Sequence, residues 1–276
     1  MKRQKGQTMN LLETIQKRRS FRTFDGRPLS EEDSEKILNS ARQADNPYDI
    51  PIEWFLLSAE KDKLVVPVVT GCDTYIAGKM KKVPHAEEAF GYAFEKVVLY
   101  ATSLGIGTTW IAGTMERKGF EEAIDLKEDE VMPCVSPLGY PARKMSFRET
   151  MMRKGIRADS RLPFEELFYE GDFYHVYGKE IDELNALLEY VRFAPSAVNK
   201  QPWRIVLKDG YAHFYEKKDK GYTSKDNWDI QKIDMGIAMC HFALGLEEAG
   251  KAVDFKISDP GIETTDKIRY IASIEY

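Results

Sequence analysis

Residues 187–203 read Leu187-Leu188-Glu189-Tyr190-Val191-Arg192-Phe193-Ala194-Pro195-Ser196-Ala197-Val198-Asn199-Lys200-Gln201-Pro202-Trp203. Leu187, Leu188 and Val191 fall on one helical face; two prolines then bound a loop, and Trp203 opens a strand. The same order occurs earlier. Ile37-Leu38-x-x-Ala41-Arg42 matches Leu187-Leu188-x-x-Val191-Arg192, and Trp54 matches Trp203. Gly91-x-Ala93, leading to Leu104-Gly105, matches Gly236-x-Ala238, leading to Ala249-Gly250. The spacing between copies drifts slowly, as small loop deletions would cause. Three matches in one order point to two copies of a helix, loop, strand, long helix, strand unit. Such halves are expected to pack about a pseudo-twofold axis, as an isologous dimer does.

Working outward, Leu11, Leu12 and Ile15 predict a helix ending near Arg18. Ser30 before Glu31, Glu32 and Asp33 is an N-cap signal, and the helix it opens has Ile37, Leu38, Ala41 and Ala44 on one face. Residues 53–59 read as a buried strand. Residues 86–104 read as an amphipathic helix with Phe90, Ala93, Phe94, Val97, Ala101 and Leu104 in register, ended by Gly105. Strands are expected at 106–111 and 131–138 with a short helix between them. In the second half a helix is expected at 179–192, a strand at 204–207, a hairpin turn at Asp209-Gly210 and a loop at 218–228. A long helix at 229–249 and strands near 252–257 and 267–274 complete the pattern. Residues 1–8 read as a polar, flexible tail, with Met9 an alternative start. The expected organisation is a half at 9–176 and a half at 177–276.

The 276 residues carry 45 acidic and 40 basic side chains, a net charge of −5, and 43% are hydrophobic. That composition describes a globular chain and excludes wholesale disorder. No apolar run approaches a bilayer span, and no apolar stretch follows Lys2, Arg3 and Lys5 to make a signal peptide. Cys72, Cys134 and Cys240 are odd in number and far apart, so buried thiols in a reducing cytoplasm are expected rather than a disulfide framework or zinc site. His85, His175, His213 and His241 have no metal-ligand spacing, and Met235, Met239 and Phe242 read as core. Tyr169, Phe173 and Tyr174 suit either a substrate mouth or an aromatic clamp between the halves.

Two basic clusters stand out against the acidic average, one from Lys17 to Arg27 and one from Arg143 to Arg161. On charge alone such runs are ordinarily solvated, salt-bridged faces; the alternative is an anion site. An acidic chain lacks the footprint of a duplex binder, so no nucleic acid is expected and a small anion fits better. Arg18-Arg19-Ser20-Phe21-Arg22 gathers three guanidinium groups and a hydroxyl, costly to bury without an anion. Strand-like alternation puts Ser20 and Arg22 on one side, where a phosphate can accept charge-assisted bonds. In the loop 194–203, Ser196, Asn199 and Gln201 set short polar groups against an apolar wall, which suits a flat, polar-edged ring. The glycines of Leu104-Gly105-Ile106-Gly107-Thr108-Thr109-Trp110-Ile111-Ala112-Gly113 permit close backbone approach. Ser136-Pro137-Leu138-Gly139-Tyr140-Pro141 precedes the second basic cluster and Arg161-Leu162-Pro163.

Taken together, these four motifs resemble the nitroreductase family of FMN-dependent oxidoreductases, over nearly the whole chain after residue 9. The first half carries the arginine-serine motif, the glycine segment and the final arginine; the second carries the intact Pro195-Ser196-x-x-Asn199 loop. This resembles the branch with two nitroreductase-like halves fused in one chain. The resemblance implies an α+β fold with two helix-flanked, mainly antiparallel sheets packed as an intramolecular pseudodimer, with FMN in the cleft. It implies that Arg18, Ser20 and Arg161 hold the FMN phosphate and Arg19 lies near it. Arg22 would serve the pyrimidine edge, the Gly113 N–H would address flavin N5, and Pro195, Ser196 and Asn199 would line the ring. The implied catalytic positions are Arg22 and Gly113. NAD(P)H would be co-substrate, and an electron-poor small molecule, a nitroaromatic or quinone, the acceptor. The chain would act as a cytoplasmic monomer. The alternative is an FMN-binding carrier or redox sensor without broad reductase activity. Two departures from the family pattern are Ala112, where many members have an acid, and Asp159, in place of a lysine; Arg157 or another basic residue is expected to compensate for the latter.

Overall fold

The structure, a computed structural model, describes residues 11–178, 183–223 and 228–276. The predicted tail, residues 179–182 of the predicted sixth helix and residues 224–227 of the predicted loop lie outside the described residues.

Helix α1 (Leu11–Lys17) buries Leu11 and Ile15. Helix α2 (Glu31–Gln43) begins as expected, the Asp33 N–H donating to Ser30 Oγ at 3.1 Å. Strand β1 (Glu53–Ser58) buries Trp54 and Leu57 but leaves Glu53 exposed, because it is an edge strand. Its antiparallel neighbour β2 (Thr74–Lys81) is the centre of the first sheet and also pairs antiparallel with β3 (Glu130–Val131) and β4 (Val135–Pro137). Between β2 and β3 come helices α3 (Ala86–Ser103) and α4 (Arg117–Ala123). Residues 106–111 form no regular strand; they make single bridges from Gly107 to Gly139, Thr108 to Ser20 and Ile111 to Val135. That isolated pairing ties the arginine-serine segment to the edge of the first half.

Helix α5 (Phe147–Gly155) carries the second basic cluster and precedes β5 (Phe168–Glu170) and α6 (Glu183–Phe193). The second sheet runs β5, β6 (Trp203–Lys208), β7 (Tyr211–Lys217), β9 (Ile268–Glu275), β8 (Phe255–Lys256), with helix α7 (Ile230–Glu248) between β7 and β8. Among the described strands of this sheet only β5 and β6 pair in parallel. The segment before residue 177 therefore contributes a strand to the sheet of the other half. Tyr169 and Phe173 pack with Tyr215 against this sheet, an aromatic clamp, while Tyr174 is exposed.

The fold is α+β, two mainly antiparallel sheets packed around the α3–α7 pair. Both helices are buried on nearly every side, α7 most of all, so the expected amphipathic face of α3 is a core helix. Met235, Met239 and Phe242 are fully buried. The helices touch backbone to backbone. A Cβ on Gly91 would lie 2.1 Å from the Ile233 carbonyl oxygen, and one on Gly236 would lie 2.1 Å from that of Glu88. Each contacted residue stands three positions before its own helix's glycine, so the crossing is the same seen from either helix. Among the described residues no helix is long and apolar enough to cross a membrane.

Candidate functional site

Element ends and loops converge where α1, the glycine segment, α5 and the 194–202 loop meet. The Phe21 N–H donates to Thr108 O at 2.8 Å, which lays the arginine-serine segment beside Gly107. There a Cβ on Gly107 would meet Pro141 at 3.0 Å and Phe21 at 3.1 Å, so any side chain would crowd the close approach. The 194–202 loop is held in a strained form, with Val198, Asn199 and Gln201 at φ near +50° (51°, 56° and 49°). A β-branched residue there costs on the order of 1–3 kcal/mol. Hydrogen bonds hold it so. The Gln201 N–H donates to Ser196 Oγ at 2.8 Å, and Asn199 Nδ2 donates to the Arg157 carbonyl at 2.7 Å. Leu162 N–H donates to Gln201 Oε1 at 2.9 Å, bolting the second-half loop to the first half.

Two adjoining cavities form one cleft. The first, about 350 Å³, is lined by Arg18, Arg19, Ser20, Arg153, Arg161, Pro195, Ser196 and Asn199. The second, about 250 Å³, shares Ser20, Ile156, Pro195 and Ser196 and adds Arg22, Trp110, Ala112, Gly113 and the isoleucines of α7. All nine sequence-derived site residues thus line this cleft. Asp159 lines the cationic end and pairs with Arg153. Arg157 lines an adjoining hollow that shares Met145, Arg153, Ala158 and Asp159 with the first cavity.

The cationic end is electrostatically unbalanced. Arg18 is buried, its Nε has no partner among the described residues, and burial, opposed by Glu95 and reinforced by Arg153, lowers its pKa. Burial, together with Arg18 and Arg192, brings Arg161 down to about 10. Its Nη atoms donate to the carbonyls of Ser160 (2.8 Å), Ala158 (3.1 Å) and Phe193 (3.2 Å), leaving its buried Nε unpaired. Arg22 is also lowered by burial, against Glu149. Arg19 lies over the Phe21 ring at 4.6 Å. Guanidinium groups gathered and desolvated in this way favour a bound anion.

The other end is mostly apolar. Trp110 is fixed there because its Nε1 donates to the buried Glu95 Oε2 at 3.1 Å. Glu95 Oε1 in turn meets His241 Nε2 at 2.9 Å, and His241 Nδ1 lies 2.8 Å from the Tyr190 carbonyl. A carbonyl only accepts, so Nδ1 carries a proton. A Cβ on Gly113 would meet nothing within 4 Å, so it would project into open space where a ligand ring could sit.

The chain matches the family described as "Putative TM nitroreductase" over residues 10–246. It belongs to the nitroreductase family. A protein named "Putative NADH dehydrogenase/NAD(P)H nitroreductase" from Archaeoglobus fulgidus is 29% identical over 156 residues, 50% of this chain and 89% of its own. A protein of the same name from Methanothermobacter thermautotrophicus is 26% identical over 51% of this chain and 82% of its own. These two relatives each cover about half of this chain. A crystal structure titled a putative nitroreductase from Thermotoga maritima has the same fold throughout, with TM-score 0.65, 21% identity, 99% of this chain and 96% of that one.

Sequence reasoning missed Arg153, Trp110 and Asp234 as site residues. Arg153 was visible as one charge within the second basic cluster; only the fold shows it buried beside Ser20, whose carbonyl it faces at 3.5 Å. Asp234 was signalled by being an acid inside the most apolar helix.

Proposed function

We propose that the cleft binds FMN and that the protein is an FMN-dependent NAD(P)H oxidoreductase, passing reducing equivalents to an electron-poor small molecule such as a nitroaromatic or quinone. The observation that carries this reading is the cluster of desolvated arginines at one end of a cleft whose other end is a mostly apolar cavity beside Gly113. A phosphate and a planar ring joined by a chain match those two ends. Arg18, Ser20 and Arg161, with Arg153 in place of the absent lysine, would hold the phosphate. Arg19 would flank it, and Arg22 would favour negative charge on the pyrimidine edge. Pro195, Ser196 and Asn199 would form the wall from the second half.

When bound, the flavin supplies hydride storage and transfer at N5. The protein's part is to orient, exclude water and supply charge. With Ala112 beside Gly113, backbone N–H groups rather than an acidic side chain at that position would address the ring. Halves 9–176 and 177–276 act on this reading as covalently joined partners, so we take the working unit to be a monomer. Three free cysteines accord with the reducing cytoplasm in which we place it.

The test is the absorption spectrum of the purified protein followed by anaerobic mixing with NADH or NADPH. Flavin bands that bleach before any acceptor is added, and return on adding a quinone, are expected. Bound flavin that neither nucleotide reduces would favour a carrier or sensor. Failure to bind FMN would overturn the reading.

A further inference from the structure

The apolar cavity has one carboxyl in its wall. Asp234, 3% exposed, lines it with Ile230, Ile233 and Ile237 of the same helix. Its partner is the Ala197 N–H, 3.0 Å from Oδ1 and 3.1 Å from Oδ2. Among the described residues no cation forms an ion pair with it. Asp229 at the N-cap of the helix and Glu216 from β7 act on it, Cys134 from the first half feels its charge, and Arg22 lines the same cavity; Lys218, Arg269 and Lys232 act in turn on Glu216. Lys218 is engaged by Asp229 at 2.9 Å, and Lys232 lies 3.8 Å from Glu88. Glu216 is fully buried with neither oxygen hydrogen-bonded. Burial first, then Asp229 and Glu216, outweighs the one N–H and raises the Asp234 carboxyl well above its usual range. The acid side chain that many relatives would place beside Gly113 is absent at Ala112, and Asp234 faces the same cavity.

Resting on the oxidoreductase reading above, we propose that Asp234 is a catalytic residue that donates a proton to the electron acceptor bound in this cavity. With a quinone the balance is simple. Two electrons and one hydrogen nucleus arrive as hydride from the reduced flavin. The Asp234 O–H bond breaks, and its proton forms an O–H bond at the acceptor oxygen that takes up the negative charge. Quinone, hydride and proton make hydroquinone; Asp234 is left as carboxylate and regains its proton from water. The step prevents an oxyanion from being stranded in an apolar cavity where Arg22 is the only lining cation among the described residues.

The experiment uses FMN-loaded protein, photoreduced without nucleotide and mixed anaerobically with 1,4-benzoquinone or ferricyanide. Asp234→Asn keeps an acceptor for the Ala197 N–H but has no proton to give. Reoxidation by the quinone is expected to slow roughly a hundredfold and lose its solvent deuterium isotope effect. Ferricyanide takes single electrons and no proton, so its rate should stay near wild type. Independently of flavin, subtracting the infrared spectrum of the Asp234→Asn apoprotein from that of wild type at neutral pH should leave the C=O band of a neutral carboxyl, the contribution of Glu216 cancelling between the two. An unchanged quinone rate, or equal slowing with both oxidants, would reduce Asp234 to an anchor of the 194–202 loop and overturn the proposal. Should the variant not fold, absence of the isotope effect or of the band in wild type would overturn it. A flavin that binds and reduces normally while these signatures fail sinks this inference alone; failure to bind FMN sinks the oxidoreductase reading with it.

Discussion

Arg18 and Arg161 are held in the fold against their own electrostatics, and that tension makes their role measurable. Burial disfavours both charges, and on the proposed reading a bound phosphate would relieve it. Changing either to Ala should weaken FMN by about 1.5–3 kcal/mol, roughly ten- to a hundredfold, while leaving riboflavin nearly indifferent. Calorimetric titration with both ligands checks this; equal losses would contradict a phosphate role. Gly113→Ala should leave the melting temperature unchanged, because its Cβ meets nothing, yet weaken flavin binding by intruding on the ring cavity. Glu216 gives a pH signature. Its carboxyl is pushed up to about 7 by burial, Asp229 above all other charges, from 4.5. Below pH 4.5 folded and unfolded chains both hold the proton. As pH rises toward 7 the unfolded chain releases it first, so stability falls and the penalty is complete above 7. Glu216→Gln should therefore raise the melting temperature at pH 8 and not at pH 4, by ~2–4 °C for each kcal/mol removed. That the nine residues gather around one cleft was legible because motif and charge mark them. Arg153 and Asp234 were not, because burial depends on which elements close over a residue.

At the scale of elements, the α3–α7 crossing is the joint on which the cleft depends. Gly91→Ala or Gly236→Ala would put a methyl group 2.1 Å from a carbonyl oxygen, and two packed helix backbones have little room to yield. Each is expected to cost about 1–3 kcal/mol. Gly155→Ala in α5, whose Cβ meets nothing, is the control and should be neutral or stabilising by ~0.5–1 kcal/mol. Thermal melts of the three variants distinguish a crowded crossing from a general intolerance of alanine. The helices were legible because their apolar periodicity reports the core directly. Strand β2 was not, although it is the centre of its sheet. Its Gly78 makes room for the Trp54 ring, and Lys79 is buried against Glu130 at 3.2 Å, so neither position shows the alternation of a strand. Helix α5 was hidden for another reason: its basic residues read as a charge run, while Arg153 and Glu149 turn inward. The expected strand at 106–111 failed because its partners are single bridges rather than a ladder.

At the scale of the whole molecule, the equivalent crossing of α3 and α7 relates two clefts that differ in charge. Phe193 and Pro195, which line the cationic end, match Gln43 and Asp45 in the first half. Those two residues border a hollow of about 410 Å³ with Lys36, Ser40, Ala44, Lys96 and Tyr100. No arginine lines it. Lys96 is already paired with Asp45 at 2.5 Å, and Tyr48, which would stand near the ring position, stacks on His85 at 4.7 Å. A phosphate there would face the Asp45 carboxylate and forgo two or three charge-assisted bonds, a loss of ~3–9 kcal/mol. That is enough to leave the hollow without FMN at micromolar concentrations. One FMN per chain is therefore expected, in the cleft joining the first-half arginines to the second-half loop. The partner half is covalently present, so binding should not require a second chain. Titrating apoprotein with FMN while light scattering reports mass tests both points together. Saturation at one flavin per monomer is the expected outcome; two equivalent flavins per chain, or binding that appears only with dimerisation, would contradict the asymmetry between the clefts.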